Sequence, residues 1–266
     1  MPSKPKLGQH YLIDPSVLAH IAETAAPTRQ DLLVEIGPGQ GALTRHLIEQ
    51  AQRLVSIELD AGLAAALPGR CGKPEGLEVI HDDFLNVNLV ALIQERIAER
   101  ITVVGNLPYY ITSPILRKVI EAREVCARAV FLIQNEVADR IVAGPGSRDY
   151  CYLSCIVQVS GTAQKHFVVE PEAFHPAPKV RSAVISVDIH RDAPPAGLLP
   201  FLSDCFRAPR KMLRNNLSGR FSAETLAADP DGKMRAQQLT LEELSEMWRR
   251  LSKAAASGRA PGTGES

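Results

Sequence analysis

Cysteine and long apolar runs are scarce in this sequence, and neither sign of charge is in excess. The five cysteines, at positions 71, 126, 151, 155 and 205, form no Cys-x-x-Cys pair and are odd in number. That pattern suits a reducing compartment better than a disulfide framework. Cys151 and Cys155 stand one helical turn apart with no histidine at ligand spacing, so they read as small core residues and no metal is expected. Uninterrupted apolar runs such as Ala129 to Ile133 are far too short to span a bilayer, and Met1 to Gln9 contain no apolar signal core. The expectation is a cytoplasmic protein without a membrane partner. Thirty basic residues balance thirty acidic ones, which argues against a chain that coats nucleic acid indiscriminately. The distribution is uneven: residues 196–266 hold 11 Lys/Arg against 8 Asp/Glu, leaving 19 against 22 in residues 1–195. Any nucleic acid is therefore held locally. With 266 residues, 45% of them hydrophobic, the chain can bury a full core and predicts one large domain plus a smaller one.

Asp14-Pro15 reads as an N-cap with proline at the first helical position, opening an amphipathic helix through Val17, Leu18, Ile21 and Ala22. Short apolar runs then alternate with helical patterns. Strands are predicted at 32–36, 54–57, 77–80, 101–104 and 129–133. Helices are predicted at 42–50, 61–67 and 89–98, with a further one opened by Ser113-Pro114. Buried β-rich runs alternating with helices predict a parallel α/β sheet. After Tyr150 a helix at 153–159 precedes two β-like segments, 164–169 and 182–189, joined by a proline-rich loop that could close the sheet as a hairpin. Arg191 to Pro195 reads as a linker. Everything beyond it is helical, including a capping box, Thr240-x-x-Glu243, that starts a helix through Leu244, Met247, Trp248 and Leu251. Ala254 to Ser266 read as a frayed tail.

The first predicted strand runs into Gly37-Pro38-Gly39-Gln40-Gly41-Ala42 and then a helix, which turns backbone amides and a positive helix end toward a ligand. Glu58 ends the second strand 21 positions after Gly37, where a carboxylate accepts hydrogen bonds from ribose hydroxyls. Alone this also satisfies the G-x-G-x-x-A dinucleotide pattern, so a nicotinamide cofactor stays open here. Asp82-Asp83-Phe84 after the third strand offers a carboxylate and an aromatic wall to an adenine, or else caps the next helix.

Gly105-Asn106-Leu107-Pro108-Tyr109-Tyr110 follows the fourth strand, again at the carboxyl edge where open α/β sheets bind ligands. The N6 amine of adenine is a poor nucleophile because its lone pair is delocalised into the ring. The Asn106 side-chain oxygen and a backbone carbonyl fixed by Pro108 can accept both N–H hydrogens and draw that nitrogen toward tetrahedral geometry. Tyr109 can stack on a flipped base, where an aromatic contact contributes roughly 1 to 3 kcal/mol. Farther on, Arg207, Arg210, Lys211 and Arg214 recur at spacings of three and four. This predicts one basic helical face, with Pro209 at a helix start and Phe206, Leu213 and Leu217 turned elsewhere. Such a stripe is either a solvated face or a phosphate clamp.

The chain resembles the bacterial small-subunit ribosomal RNA adenine dimethyltransferases, the KsgA family. The likeness is carried by Leu7-Gly8-Gln9-His10-Tyr11-Leu12, Val34 to Gly39, Ile57 to Asp60, Gly105 to Tyr109 and Phe174-His175-Pro176-Ala177-Pro178-Lys179-Val180. It implies a Rossmann-like class I methyltransferase sheet over residues 1–192 and a C-terminal all-helical, RNA-contacting domain over 196–266. It implies S-adenosylmethionine as methyl donor, released as S-adenosylhomocysteine, with His10, Leu12, Gly37, Gly39, Glu58, Asp83 and Asn106 lining the donor site. Asn106, Leu107, Pro108, Tyr109 and Phe174 would serve the chemistry, with Phe174 across the target base from Tyr109. The implied substrate is a pair of adjacent adenosines in a hairpin loop near the 3′ end of that RNA. The implied partner is a partly assembled small ribosomal subunit, met by a monomer. His10 stands where the family generally has Asn, and Asn135 where a lysine is more common. Three readings compete: a large-subunit methyltransferase conferring antibiotic resistance, whose loop generally reads Asn-Ile-Pro; a non-catalytic assembly or transcription factor, which needs a damaged site; and a nicotinamide dehydrogenase, which leaves Asn106 to Tyr109 without a role.

Overall fold

The computed structural model describes residues 10–25, 32–51, 53–96, 100–108 and 110–257. The chain divides into two compact units, one made of 1–139 with 160–193 and the other of 140–159 with 194–266. A two-residue strand, β1 (Tyr11–Leu12), precedes α1 (Pro15–Ala25). Asp14 caps that helix as its sequence predicts: Oδ1 accepts from the backbone N–H groups of Ser16 at 2.9 Å and Val17 at 3.2 Å. The Ser16 hydroxyl and these amides hold the Asp14 carboxyl below its ordinary range.

Strand and helix then alternate through β2 (Leu32–Ile36), α2 (Ala42–Gln50), β3 (Arg53–Glu58), α3 (Ala61–Arg70), β4 (Leu77–His81), α4 (Leu89–Arg96), β5 (Ile101–Asn106), α5 (Thr112–Glu121), β6 (Cys126–Gln134) and α6 (Asn135–Val142). Ile97 and Ala98, expected to end the fourth helix, lie outside the described residues. The expected start at Ser113-Pro114 shifts to Thr112, with Pro114 in the first turn of α5, where a missing N–H breaks no intrahelical bond. Next come α7 (Tyr152–Ser160), β7 (Gly161–Val169), β8 (Phe174–His175) and β9 (Ser182–Ile189).

Seven strands form one sheet in the order β4-β3-β2-β5-β6-β9-β7, and β8 pairs separately with β1. The five strands from β2 to β6 are parallel, while β9 runs antiparallel to both β6 and β7. All five residues of β2 are buried, as a central parallel strand covered on both faces requires. Leu18, Ile21, Ala22 and Ala25 of α1 share a core with Leu43 and Leu47 of α2 and with Leu33, Val104, Val130 and Leu132 of the sheet. Each large side chain so buried contributes roughly 1.5 to 3 kcal/mol. Ile36 stands level with Ile57 and Gly105, so the loops after β2, β3 and β5 leave the sheet at one edge.

The second unit is helical among the described residues. Beyond α7 it holds α8 (Leu198–Cys205), α9 (Leu213–Asn216), α10 (Ala223–Ala228) and α11 (Leu241–Ser257). The capping box forms: Glu243 Oε2 accepts from Thr240 N at 2.7 Å while Thr240 Oγ1 accepts from Glu243 N at 3.1 Å. The helix it starts runs through Ser257, so 254–257 are not frayed, and the rest of the expected tail lies outside the described residues. Residues 140–159, expected in the large domain, join the helical unit. The reason is packing: Tyr150, fully buried, meets the Phe206 ring edge-on at 5.5 Å between centroids. Cys155 lies in the same core and donates to the Tyr150 hydroxyl at 3.2 Å, its thiol pushed up to about 12 by burial. No described helix is long and apolar enough to cross a membrane.

One buried carboxylate ties the first unit together beneath its ligand-binding edge. Glu35 of β2 accepts from Thr44 of α2 at 2.8 Å and from Ser56 of β3 at 2.7 Å. Burial raises its pKa from 4.5 to about 7 against the pull of those hydroxyls, and the nearby Glu58 charge pushes the same way. The folded chain thus holds a proton that the unfolded chain has released between those two values, and stability falls as pH rises through that window. The loss amounts to roughly 3 kcal/mol once the carboxylate is fully charged. Glu35→Gln keeps an acceptor for both hydroxyls and removes the titration. Urea unfolding of both proteins from pH 4.5 to 8 should show the variant gaining on the parent by about that amount as pH rises; parallel curves would contradict it.

Candidate functional site

The loops at the carboxyl edge of the sheet surround a cavity of about 260 Å³. The glycine-rich turn after β2 forms its floor. Gly37 and Gly39 adopt left-handed backbone angles, φ +62° and +56°, which side-chain-bearing residues rarely accept. Their further roles differ. A β-carbon on Gly37 would meet nothing within 4 Å, whereas one on Gly39 would stand 3.1 Å from Cε1 of Tyr11. Gly37 thus borders open space, while Gly39 makes room for a ring.

Glu58, at the end of β3, is 5% exposed. Its Oε2 accepts from Gly39 N at 3.0 Å and its Oε1 from Asp60 N at 2.9 Å. Two amide donors satisfy the buried charge and lock the glycine turn to the neighbouring strand end. Asp60 is the N-cap of α3, accepting from Gly62 N and Leu63 N. After β4, Asp83 accepts from Leu85 N at 2.9 Å, a local turn rather than a helix cap, and still lines the cavity with Asp82 and Phe84.

β1 and β8 build the opposite wall. They pair antiparallel, Tyr11 with His175 and Leu12 with Phe174, so His10, Leu12 and Phe174 enter the lining together. Phe174 is only 4% exposed and belongs to the core as well as to the wall. His10 Nδ1 lies 2.7 Å from the Pro176 carbonyl oxygen. A carbonyl only accepts, so Nδ1 carries a hydrogen and the ring is anchored to the proline-rich loop.

Asn106, the last residue of β5, lines the cavity and donates from Nδ2 to the His10 carbonyl at 3.2 Å. That bond fixes the amide's orientation and leaves Oδ1 as its acceptor. Leu107 N donates to Leu132 O at 3.0 Å and Pro108 O accepts from Ile111 N at 3.1 Å, closing the turn; both residues line the cavity. Tyr109 lies outside the described residues. All the other expected donor-site and catalytic residues are brought together here.

Among the lining residues that sequence reasoning gave no role are Tyr11, Ile13, Leu59 and Tyr110. Tyr11 covers Gly39, and burial followed by the Glu58 charge raises its phenol pKa. Ile13, Leu59 and Tyr110 line the cavity although they are 55%, 65% and 83% exposed. Large apolar side chains left in water at a cavity mouth mark a contact surface. The signal was available, since Tyr11, Leu59 and Tyr110 lie within the motif stretches and Ile13 directly follows one.

In the helical unit, Arg207, Arg210, Lys211 and Arg214 do not form the expected stripe on one helix face. α8 stops at Cys205, residues 206–212 are turns, and only Arg214 lies in a helix, the four-residue α9. Pro209 sits in these turns and starts no helix. The cause is Asn216, whose buried Nδ2 donates to the carbonyls of Cys205 at 2.8 Å and Ala208 at 3.1 Å, folding the segment back. Phe206, Leu213 and Leu217 are buried, and all four cations are exposed. No group of three or more His, Cys, Asp or Glu among the described residues is arranged to hold a metal.

The family model for ribosomal RNA adenine dimethylase matches residues 2–253. The ribosomal RNA small subunit methyltransferase A of Acidobacterium capsulatum is 42% identical, over 93% of this chain and 91% of that protein. The protein of the same name from Koribacter versatilis is 36% identical, over 94% and 95%. Among solved structures, a dimethyladenosine transferase from Plasmodium falciparum has the same fold, with a TM-score of 0.78 at 22% identity over 92% of this chain and 98% of that one. The 23S rRNA methyltransferase ErmE matches with a TM-score of 0.71 at 25% identity over 91% and 99%. A glycine turn locked to a buried glutamate, an asparagine oriented after β5 and a match across nearly the whole chain thus agree: the protein belongs to the ribosomal RNA adenine dimethylase family.

Proposed function

We propose that the chain is an S-adenosylmethionine-dependent enzyme that dimethylates, at N6, two adjacent adenosines in the 3′-terminal hairpin loop of small-subunit ribosomal RNA, within a partly assembled small subunit. The observation that carries this reading is the held amide of Asn106, a residue in the wall of a nucleoside-sized cavity whose Nδ2 is committed to the His10 carbonyl.

The residues present fit the donor. Open space beside Gly37, the carboxylate of Glu58 and the acidic turn at Asp83 suit a nucleoside with ribose hydroxyls and an adenine amine. His10, Leu12 and Gly39 complete the enclosure. When bound, S-adenosylmethionine supplies an activated methyl group on a sulfonium centre and leaves as S-adenosylhomocysteine. The chain's own work is on the acceptor. Asn106 Oδ1 and the Leu107 carbonyl, stiffened by Pro108, accept the two N6 hydrogens and localise the nitrogen lone pair. Tyr109 and Phe174 flank the base and offset part of its unstacking from RNA. Rate enhancement then comes from positioning and from preorganised acceptors. The loop reads Asn-Leu-Pro rather than Asn-Ile-Pro, and the small-subunit relatives match over nine-tenths of their length, which favours small-subunit over large-subunit RNA. Arg210, Lys211 and Arg214 supply phosphate contacts that position the RNA.

The direct test is incubation with labelled donor and small subunits lacking the modification, followed by nucleoside mass spectrometry. N6,N6-dimethyladenosine should appear, and its absence would sink the proposal. Asn106→Ala should lower transfer by about 100- to 1,000-fold, the size of losing one preorganised polar partner, while calorimetry still detects donor binding. Normal turnover by that variant would remove Asn106 from the mechanism. Changing Arg210 and Lys211 together to Ala should weaken subunit binding and lower the slope of log Kd against log salt by about 1.4 to 1.8, two phosphate contacts' worth. An unchanged slope would mean that the two cations are only solvated.

A further inference from the structure

Asp204 is the sole acidic residue between Asp192 and Glu224, a stretch that holds five cations from Arg207 to Arg220. It lies in the last turn of α8, where the partial negative charge of the helix end disfavours a carboxylate. Two guanidiniums compensate it. Asp204 Oδ1 accepts from Arg207 Nη2 at 2.6 Å, and Asp204 Oδ2 accepts from Arg220 Nε at 2.7 Å. Arg207 Nη2 also donates to the Asn216 carbonyl at 3.2 Å, the residue whose side chain folds this segment.

One arginine neutralises one carboxylate; the second leaves a unit of positive charge over. Arg207 and Arg220 are 60% and 36% exposed, against 22% for Asp204. Stability is a poor reason for this triad, because exposed ion pairs contribute little. Each guanidinium has five donors, and these bonds engage one nitrogen of each, Nη2 of Arg207 and Nε of Arg220. Two long, entropically costly side chains are thus pinned by the two oxygens of a single carboxylate, with the surplus charge and most donors uncommitted. A tetrahedral anion with several acceptor oxygens matches such a pair.

We propose that Asp204 is a positioning residue that holds Arg207 and Arg220 as a two-pronged site for one backbone phosphate of the RNA. Arg220 is thereby added to the basic surface, and Arg207 acts with a partner rather than as part of a stripe. The inference rests on the RNA-binding reading above.

Asp204→Asn separates it from simple charge attraction, because the two predict opposite signs. On charge alone, removing the only carboxylate from a basic segment tightens RNA binding and steepens its salt dependence. As a positioning residue, Asp204 is needed for the geometry, and its loss should weaken binding to unmodified small subunits by about tenfold, the scale of a charge-assisted hydrogen bond, with a shallower salt slope. Filter binding across a salt series reads both quantities, and thermal melting establishes that the variant is folded. Tighter or unchanged binding by folded Asp204→Asn overturns the proposal. If that variant does not fold, Arg220→Ala decides: its slope should drop by about 0.7 to 0.9, one phosphate contact, and no drop overturns the site. Parent protein that fails to methylate the subunits would instead discredit the functional reading, so the two failures are distinguishable.

Discussion

Buried carboxylates have to be hydrogen-bonded, and this requirement shapes the carboxyl edge of the sheet. Glu58 meets it by taking two backbone amides, one from the glycine turn after β2 and one from the turn into α3. Glu35 meets it with hydroxyls from α2 and β3. The acidic side chains therefore act as rivets between adjacent strand ends before either is considered for ligand binding. The glycine turn is thereby held at φ angles that leave its backbone open to close approach.

Local signals were legible in the sequence because their causes are local. Apolar runs of five or so β-rich residues became parallel strands, fully buried at β2, Asp14-Pro15 became a helix start, and Thr240 with Glu243 closed a capping box. The glycine loop, Glu58, Asp83 and the Asn106 loop were placed at one sheet edge by the rule that parallel strands deliver their following loops to the same side. What periodicity does not encode is non-local. β1 and β8 are two residues each, too short for any alternation, and they lie more than 150 residues apart. Only pairing explains why His10 and Phe174 share a wall. Spacing misled at Arg207 to Arg214, since a period of three or four presupposes helical backbone. Asn216 instead draws in the carbonyls of Cys205 and Ala208.

The cavity combines a hydrogen-bonded interior with an exposed lip of large side chains. Inside are strand ends, backbone amides and a carboxylate clamped on both oxygens. Outside stand Ile13, Leu59 and Tyr110, large and wet. The polar groups able to orient a ligand thus sit in the interior, and the apolar contact area sits at the opening.

The helical unit is assembled from two stretches of chain separated by β7, β8 and β9. On a ribosome, Tyr150 and Cys155 emerge well ahead of the helices that bury them. Leu244, Met247 and Leu251 of α11 belong to the same core. A fragment beginning at the linker would lack both residues and carry a hole in its core, so gene dissection should cut around 140–159 rather than at 193.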